Sequence, residues 1–199
     1  MSIKLIVTDM DGTLLNEKMQ ISDRASEAIY RAQQAGLDFP VATVRTADSG
    51  YSMIKEKGLA CAFIELNGAR MFNANEELQF TRGIQQNDAK TIIDIMGNYG
   101  IHNQFYTDNA IYTTNSTEEY IESYAKVFKS INQNLSDDGL MEMMAEYLSE
   151  HNIQTIDSYD FLYKDSNHNL LKAIFNAVDD PSILKVIQKD IESNSENLI

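Results

Sequence analysis

Asp9-Met10-Asp11-Gly12-Thr13-Leu14-Leu15 follows directly on the apolar run Ile3-Lys4-Leu5-Ile6-Val7-Thr8. A short run rich in β-branched residues that ends in two acids and a glycine reads as a buried strand stopping at a loop. In open α/β sheets, ligands sit at that end of a strand. Two carboxylates two residues apart there can supply a nucleophile and a neighbouring acid or base, or hold a divalent cation. An acidic turn with glycine at an unusual φ accounts for the same residues without chemistry.

Working outward, Ser22 can cap a helix to about Ala35, with Ala25, Ala28, Ile29 and Ala32 on one face and Gly36 as its stop. Leu37 to Val44 reads as a second strand, although Pro40 inside it donates nothing to a ladder. A helix starting at Thr46 or Asp48 ends at Gly58, and Ala62 to Leu66 reads as a third strand stopping at Asn67-Gly68. Strand, helix, strand, helix, strand predicts right-handed βαβ units in a parallel sheet. Residues 69–80 read as a hairpin turning at Asn73-Ala74-Asn75.

The pattern changes near residues 81–84. Gln85 to Tyr99 is an amphipathic helix, and Phe105 to Thr113 alternates about Asp108-Asn109 as a hairpin. Glu118 to Ile131 and Gly139 to His151 read as helices, the second with Met141, Met143 and Met144 as core. Leu170 to Phe175 reads as a strand, and Pro181 opens a last helix to about Ser193. This places a domain boundary between 1–82 and 83–199, with an α+β second half.

With 199 residues and 43% apolar content, the chain can build a real core. Its net charge of −14 argues against nucleic acid and anionic membranes, because phosphate contacts need clustered Lys and Arg. A small phosphorylated substrate stays open, since a local metal ion can override the overall field. The single cysteine, Cys61, lies in an apolar stretch and reads as a buried, inert thiol. No basic-then-apolar leader opens the chain, and no apolar run approaches the ~18 residues of a membrane span. The expected location is cytoplasmic. His102, His151 and His168 are scattered without metal-ligand spacing.

The first seventy residues resemble the haloacid dehalogenase superfamily, in its Cof-type sugar-phosphatase branch. The resemblance rests on Asp9 to Leu15, on Ala42-Thr43-Val44-Arg45 after the second strand, and on Asn67-Gly68-Ala69 after the third. Residues 84–199 look like that branch's inserted cap, most recognisably at Tyr106-Thr107-Asp108-Asn109-Ala110-Ile111-Tyr112. The implied fold is α/β: part of a Rossmann-like parallel-sheet core plus an α+β cap of the C2 type. The resemblance also implies the roles. Asp9 is the nucleophile that becomes an aspartyl-phosphate, and Asp11 is the acid and then the base. Asp9 and the Asp11 carbonyl bind Mg²⁺. Thr43, Val44 and Arg45 form the phosphate-side loop, and Asn67 contacts substrate or shapes its turn.

Two departures from the family pattern matter. Val44 stands where the family usually has glycine; if that position needs φ above zero, the strain costs about 1–3 kcal/mol. The family's later Lys and acidic metal loop come after the cap, whereas this sequence stops at Ser195-Glu196-Asn197-Leu198-Ile199. Asp179-Asp180-Pro181 and Asp137-Asp138-Gly139 read as turns, and Lys172, Lys185 and Lys189 as solvent-facing, so none substitutes. The expectation is a phosphohydrolase of small phosphorylated metabolites, impaired in this truncated chain. The alternatives are a non-catalytic phosphate-binding remnant and an interaction module. Residues 3–8 become an exposed sheet edge, expected to be covered by a second copy, a rearranged segment or a partner.

Overall fold

Pro40 decides how far the first two strands can zip together. In the computed structural model, residues 4–8 run parallel to residues 38–42, bridged at Leu5–Asp38 and Thr8–Val41. Ile6 N donates to Asp38 O at 2.9 Å and Thr8 N to Pro40 O at 3.2 Å. In return, Asp38 N donates to Lys4 O and Ala42 N to Thr8 O, at 2.9 and 2.8 Å. The donor missing from this series is the one Pro40 lacks. The predicted strands at 3–8 and 37–44 therefore shrink to bridged extended segments, and only Val41–Ala42 (β1) forms a regular ladder.

The structure describes residues 3–100, 102–131, 136, 139, 141, 148, 151–165, 168–176 and 182–195. The chain divides into two compact units, Met1–Arg82 and Gly83–Ile199. In the first, α1 spans Asp23–Gln34, with Ser22 Oγ accepting from Ala25 N at 3.2 Å as its cap. Helix α2 spans Ala47–Glu56, β2 Phe63–Glu65, β3 Arg70–Phe72 and β4 Leu78–Thr81. The sheet order is β1-β2-β3-β4, with β1 and β2 parallel and the last three antiparallel. Residues 4–8 extend it beyond β1. The hairpin turn is built by Asn73, whose Oδ1 accepts from Asn75 N and Glu77 N at 2.9 and 3.0 Å.

The core lies on one face of this sheet. Val41, Phe63 and Phe72 pack with Ile29 of α1 and with Ala47, Tyr51 and Ile54 of α2, and buried Cys61 joins them. Both helices therefore cover the same face, as two successive right-handed crossovers in one direction require. Gly50 brings α2 against the sheet, because a Cβ there would lie 2.2 Å from Phe63 Cζ.

The second unit holds α3 (Gln86–Tyr99), β5 (His102–Thr107), β6 (Ile111–Thr113), α4 (Thr117–Ile131), β7 (Ile153–Thr155), α5 (Phe161–Lys164), β8 (Leu170–Asn176) and α6 (Ile183–Asn194). Its sheet runs β7-β6-β5-β8. Phe105, Tyr112 and Leu170 pack with Ala89, Ile92 and Met96 of α3. Near α4, Gln104 Nε2 donates to the hydroxyls of Tyr120 and Tyr124 at 3.0 and 2.6 Å, and its Oε1 accepts from Tyr106 at 3.2 Å. The α+β character read from sequence is seen here. Strand β7, parallel to β6, and the short α5 were not anticipated.

Several expectations change. Met141 is exposed rather than core, and Met143 and Met144 lie outside the described residues. Lys172 is half-buried against the Tyr106 ring, 5.7 Å from its centroid, not solvent-facing, and burial holds its ammonium below its ordinary pKa. Asp137-Asp138, Asp179 to Pro181 and Glu196 to Ile199 also lie outside the described residues.

The Gly50–Phe63 contact makes a direct test of the packing. Gly50→Ala should lose about 1–3 kcal/mol in urea unfolding, because the Phe63 ring is fully enclosed and must move. Adding Phe63→Leu should recover part of that loss. An unchanged midpoint for Gly50→Ala would show that α2 does not seat on Phe63.

Candidate active site

The acidic turn is anchored at both ends. Met10 is fully buried and Leu15 nearly so, and Leu15 N donates to Met10 O at 2.9 Å. Between them Gly12 turns the chain with φ 71° and ψ 2°. That left-handed conformation costs an L-residue with a side chain about 1–2 kcal/mol, so glycine is what lets the chain reverse here. With its apolar ends in the core, the turn presents its acids outward: Asp9 is exposed and Asp11 half-buried. Asp9 Oδ1 accepts from Met10 N at 2.7 Å, which fixes the carboxylate at the mouth of the turn.

The second loop, residues 43–46, leaves the end of β1 beside it. The bridge between Thr8 and Val41 sets Asp9 and Met10 level with Ala42 and Thr43. Thr43 is buried, and its Oγ1 accepts from Arg45 N at 3.3 Å. That bond leaves the hydroxyl proton available to an acceptor. Arg45 then reaches back to the first loop. Its Nε donates to Asp11 Oδ2 and its Nη2 to Asp11 Oδ1, both at 2.8 Å. This fork-to-fork pair is the strong, oriented form of a charge-assisted hydrogen bond.

Strand β2 and the turn after it hold the second loop from behind. Thr43 N donates to Ile64 O at 2.9 Å, and Leu66 N and Asn67 N donate to Arg45 O and Thr43 O, each at 3.2 Å. Leu66 and Asn67 both take left-handed φ, 50° and 62°, to turn those amides toward the loop. Such backbone is costly and is kept where the surroundings over-determine it. For Asn67, the backbone geometry accounts for a turn-shaping role. Val44 is absent from the residues with positive φ, so the strain considered for it does not arise.

Sequence reasoning passed over Glu65 and Arg70. Glu65 is almost wholly buried, and its Oε2 accepts from Ala47 N, the first residue of α2. Arg70 Nε lies 3.2 Å from the other oxygen, Oε1. Burial raises the Glu65 pKa above its ordinary value, while the Ala47 amide and Arg70 pull it down and Asp48 pushes it up. The carboxylate thus sits at the N-terminus of α2, two residues beyond Arg45. The available signal was a glutamate inside the apolar run Ala62 to Leu66, where an unpaired charge is expensive.

The site's fit to Mg²⁺ can be judged from its donors. Asp9 offers an exposed carboxylate and Asp11 a main-chain carbonyl, both hard oxygens of the kind Mg²⁺ takes. The Asp11 side chain is committed to Arg45. Among the described residues no group of three or more His, Cys, Asp or Glu converges. The donors fit the ion in kind, and the rest of its shell would come from phosphate and water.

The sequence profile of haloacid dehalogenase-like hydrolases matches residues 6–198. The chain is 27% identical over 162 residues to the phosphatase YwpJ of Bacillus subtilis, covering 81% of this chain and 57% of YwpJ. It is 26% identical over 172 residues to a second B. subtilis protein, 5-amino-6-(5-phospho-D-ribitylamino)uracil phosphatase YwtE, covering 86% of this chain and 59% of YwtE. The solved structure of a haloacid dehalogenase-like hydrolase from B. subtilis superposes with a TM-score of 0.78 at 25% identity, covering 96% of this chain and 67% of that one. The chain therefore spans somewhat over half the length of these two curated relatives.

Glu65 gives a pH test of the loop support. Its folded pKa is raised, so its share of stability is fully present below its ordinary value near 4.5 and is lost as pH rises through the folded value. In urea unfolding from pH 4 to 8, the parent should lose stability relative to Glu65→Gln as pH rises. A parent that gains on the variant over that range would show the carboxylate to be stabilised in its charged form instead.

Proposed function

We propose that this chain, which belongs to the haloacid dehalogenase-like hydrolase family in its Cof-type branch, carries the nucleophile of a phosphohydrolase acting on small phosphorylated metabolites, with residues 1–82 as its core half and 83–199 as its cap. The observation that carries the reading is the meeting of two loops at adjacent strand ends. One presents Asp9 and Asp11, and the other presents Thr43 and Arg45, tied to Asp11 by two 2.8 Å bonds. The phosphatase names of YwpJ and YwtE support the reaction class.

In the proposed reaction, an Asp9 carboxylate oxygen attacks phosphorus and the bond to the leaving oxygen breaks. Asp11 gives its proton to that oxygen. A water that Asp11 then deprotonates attacks the aspartyl-phosphate, releasing inorganic phosphate and restoring the Asp9 carboxylate. Thr43 donates its hydroxyl proton to a phosphoryl oxygen. Both Asp11 oxygens accept from Arg45 in the resting geometry, and the phosphoryl oxygens offer the guanidinium a second set of acceptors when substrate binds. Asp9 and the Asp11 carbonyl would hold Mg²⁺, which would supply the charge neutralisation that phosphoryl transfer needs in a chain of net charge −14.

A second reading is phosphate binding without turnover. It is favoured by the small donor set, two oxygens among the described residues, and by the engagement of Asp11 with Arg45. One assay separates the two. Hydrolysis of p-nitrophenyl phosphate should be slow, dependent on Mg²⁺ and reduced to background in Asp9→Asn. Activity that survives in Asp9→Asn contradicts the nucleophile assignment. No hydrolysis by the parent, together with a melting temperature raised by inorganic phosphate and not in Thr43→Val, establishes the second reading.

A further inference from the structure

Asn67-Gly68 is the one place in the sequence where an asparagine precedes a glycine. Such a pair has a chemistry of its own. The main-chain nitrogen of the second residue can attack the side-chain carboxamide of the first, and glycine has no side chain to hinder the approach. Here the Gly68 nitrogen gives up its proton to solvent base and bonds to Asn67 Cγ. The Cγ–Nδ2 bond breaks, and that nitrogen takes a proton from solvent and leaves as ammonia. Water then opens the five-membered imide. Attack at Cγ leaves aspartate at 67, and attack at the main-chain carbonyl leaves isoaspartate. Water is the only co-reactant.

The surroundings single this pair out. Both residues are exposed, and among the described residues the Asn67 carboxamide takes part in no hydrogen bond. The carboxamides of Asn73, Asn152, Asn169 and Asn194, by contrast, each donate to an oxygen, and Asn103 and Asn115 are buried. Asp11-Gly12 has the same spacing, but a carboxylate is a far poorer electrophile than a carboxamide, and Arg45 engages both its oxygens.

The fold decides when the reaction can run. The ring closes only with the Gly68 nitrogen on the same side of the Cα–C bond as Asn67 Cβ. With φ 62° and ψ 26° at Asn67, that nitrogen stands nearly opposite Cβ. Bringing it round means rotating ψ of Asn67, which pulls Ala69 N away from Leu66 O, the 3.3 Å bond that closes the turn. The turn is tethered on both sides, by Asn67 N to Thr43 O at 3.2 Å and by Arg82 N to Ala69 O at 2.8 Å, and Leu66 anchors it in the interior. Leu66 and Asn67 nevertheless both hold left-handed φ, so opening relieves conformational strain. The turn opens more readily than the strands it joins.

We propose that Asn67-Gly68 is a site of spontaneous deamidation and isomerisation in this chain, shielded by the left-handed turn at 66–68 and reached when that turn opens. The products act on the neighbouring strands. Isoaspartate inserts one methylene into the main chain ahead of β3, where Arg70 is in register with Glu65. Either product adds a negative charge at the turn whose amide bonds Thr43 O, in a chain already at −14. None of this requires the chain to turn over a substrate.

The test ages the full chain at neutral pH, folded and unfolded in guanidinium chloride. Tandem mass spectrometry with electron-transfer fragmentation then tells isoaspartate from aspartate at each position. In denaturant, Asn67 should convert before every other asparagine. In the folded chain it should still lead, at least tenfold more slowly than in denaturant, and hydroxylamine, which cleaves the imide, should cut between 67 and 68. Leu66→Ala removes the buried anchor of the turn and should bring the folded rate toward the denatured one, with the denatured rate unchanged. Equal rates with and without denaturant would overturn the shielding, and this parent comparison decides the matter even if Leu66→Ala does not fold. A folded chain in which another asparagine converts first, or none does at 67, would overturn the site itself.

Discussion

The 2.8 Å hydrogen bond from Ala42 N to Thr8 O is the contact on which the site depends. It is the last rung between residues 4–8 and β1, and it lies one residue before each of the two functional loops. With it in place, Asp9 and Thr43 leave neighbouring strands at the same level. The chain then needs only a left-handed glycine at 12 and a left-handed pair at 66–67 to bring the loops together. The Arg45–Asp11 fork closes the arrangement at side-chain level. Its energy is modest, because both side chains retain solvent contact. Its significance lies in orientation: it sets the Asp11 carboxylate and the Arg45 guanidinium together beside the loop that carries the buried Thr43 hydroxyl.

Much of this was legible in the sequence because the deciding signals are local. Ser22 as a cap, Gly12 as a reversal and the Asn73 turn each act through their own backbone, and each is found doing so. The two acids could be placed at a strand end because they follow an apolar run directly, whereas the threonine loop was placed by its resemblance to the family. What escaped was non-local. Pro40 was recognised as awkward, but how much ladder it removes depends on which neighbour it faces. Glu65 looked like one residue of a strand, and only the arrival of Ala47 and Arg70 makes it a buried support for the site. The parallel β6–β7 pair joins segments about forty residues apart, with no short-range turn to announce it.

The two faces of β2 and β3 differ in what they meet. Ile64 and Met71 lie on the open face, the one away from α1 and α2, and Glu65 and Arg70, next to them in the same strands, pair on the other side, where Glu65 accepts from Ala47 N at the start of α2. Covering the apolar side chains of the open face would gain roughly 25 cal/mol for each Å² removed from water.

The central claim is that Asp9 accepts phosphorus. The most direct measurement is to incubate the chain with a small acyl phosphate and Mg²⁺, reduce it with borohydride, and locate the reduced carboxyl by tandem mass spectrometry. An acyl-phosphate at Asp9 predicts conversion of that side chain alone to the alcohol. Reduction at Asp11, or at neither residue while phosphate still binds, would contradict the account.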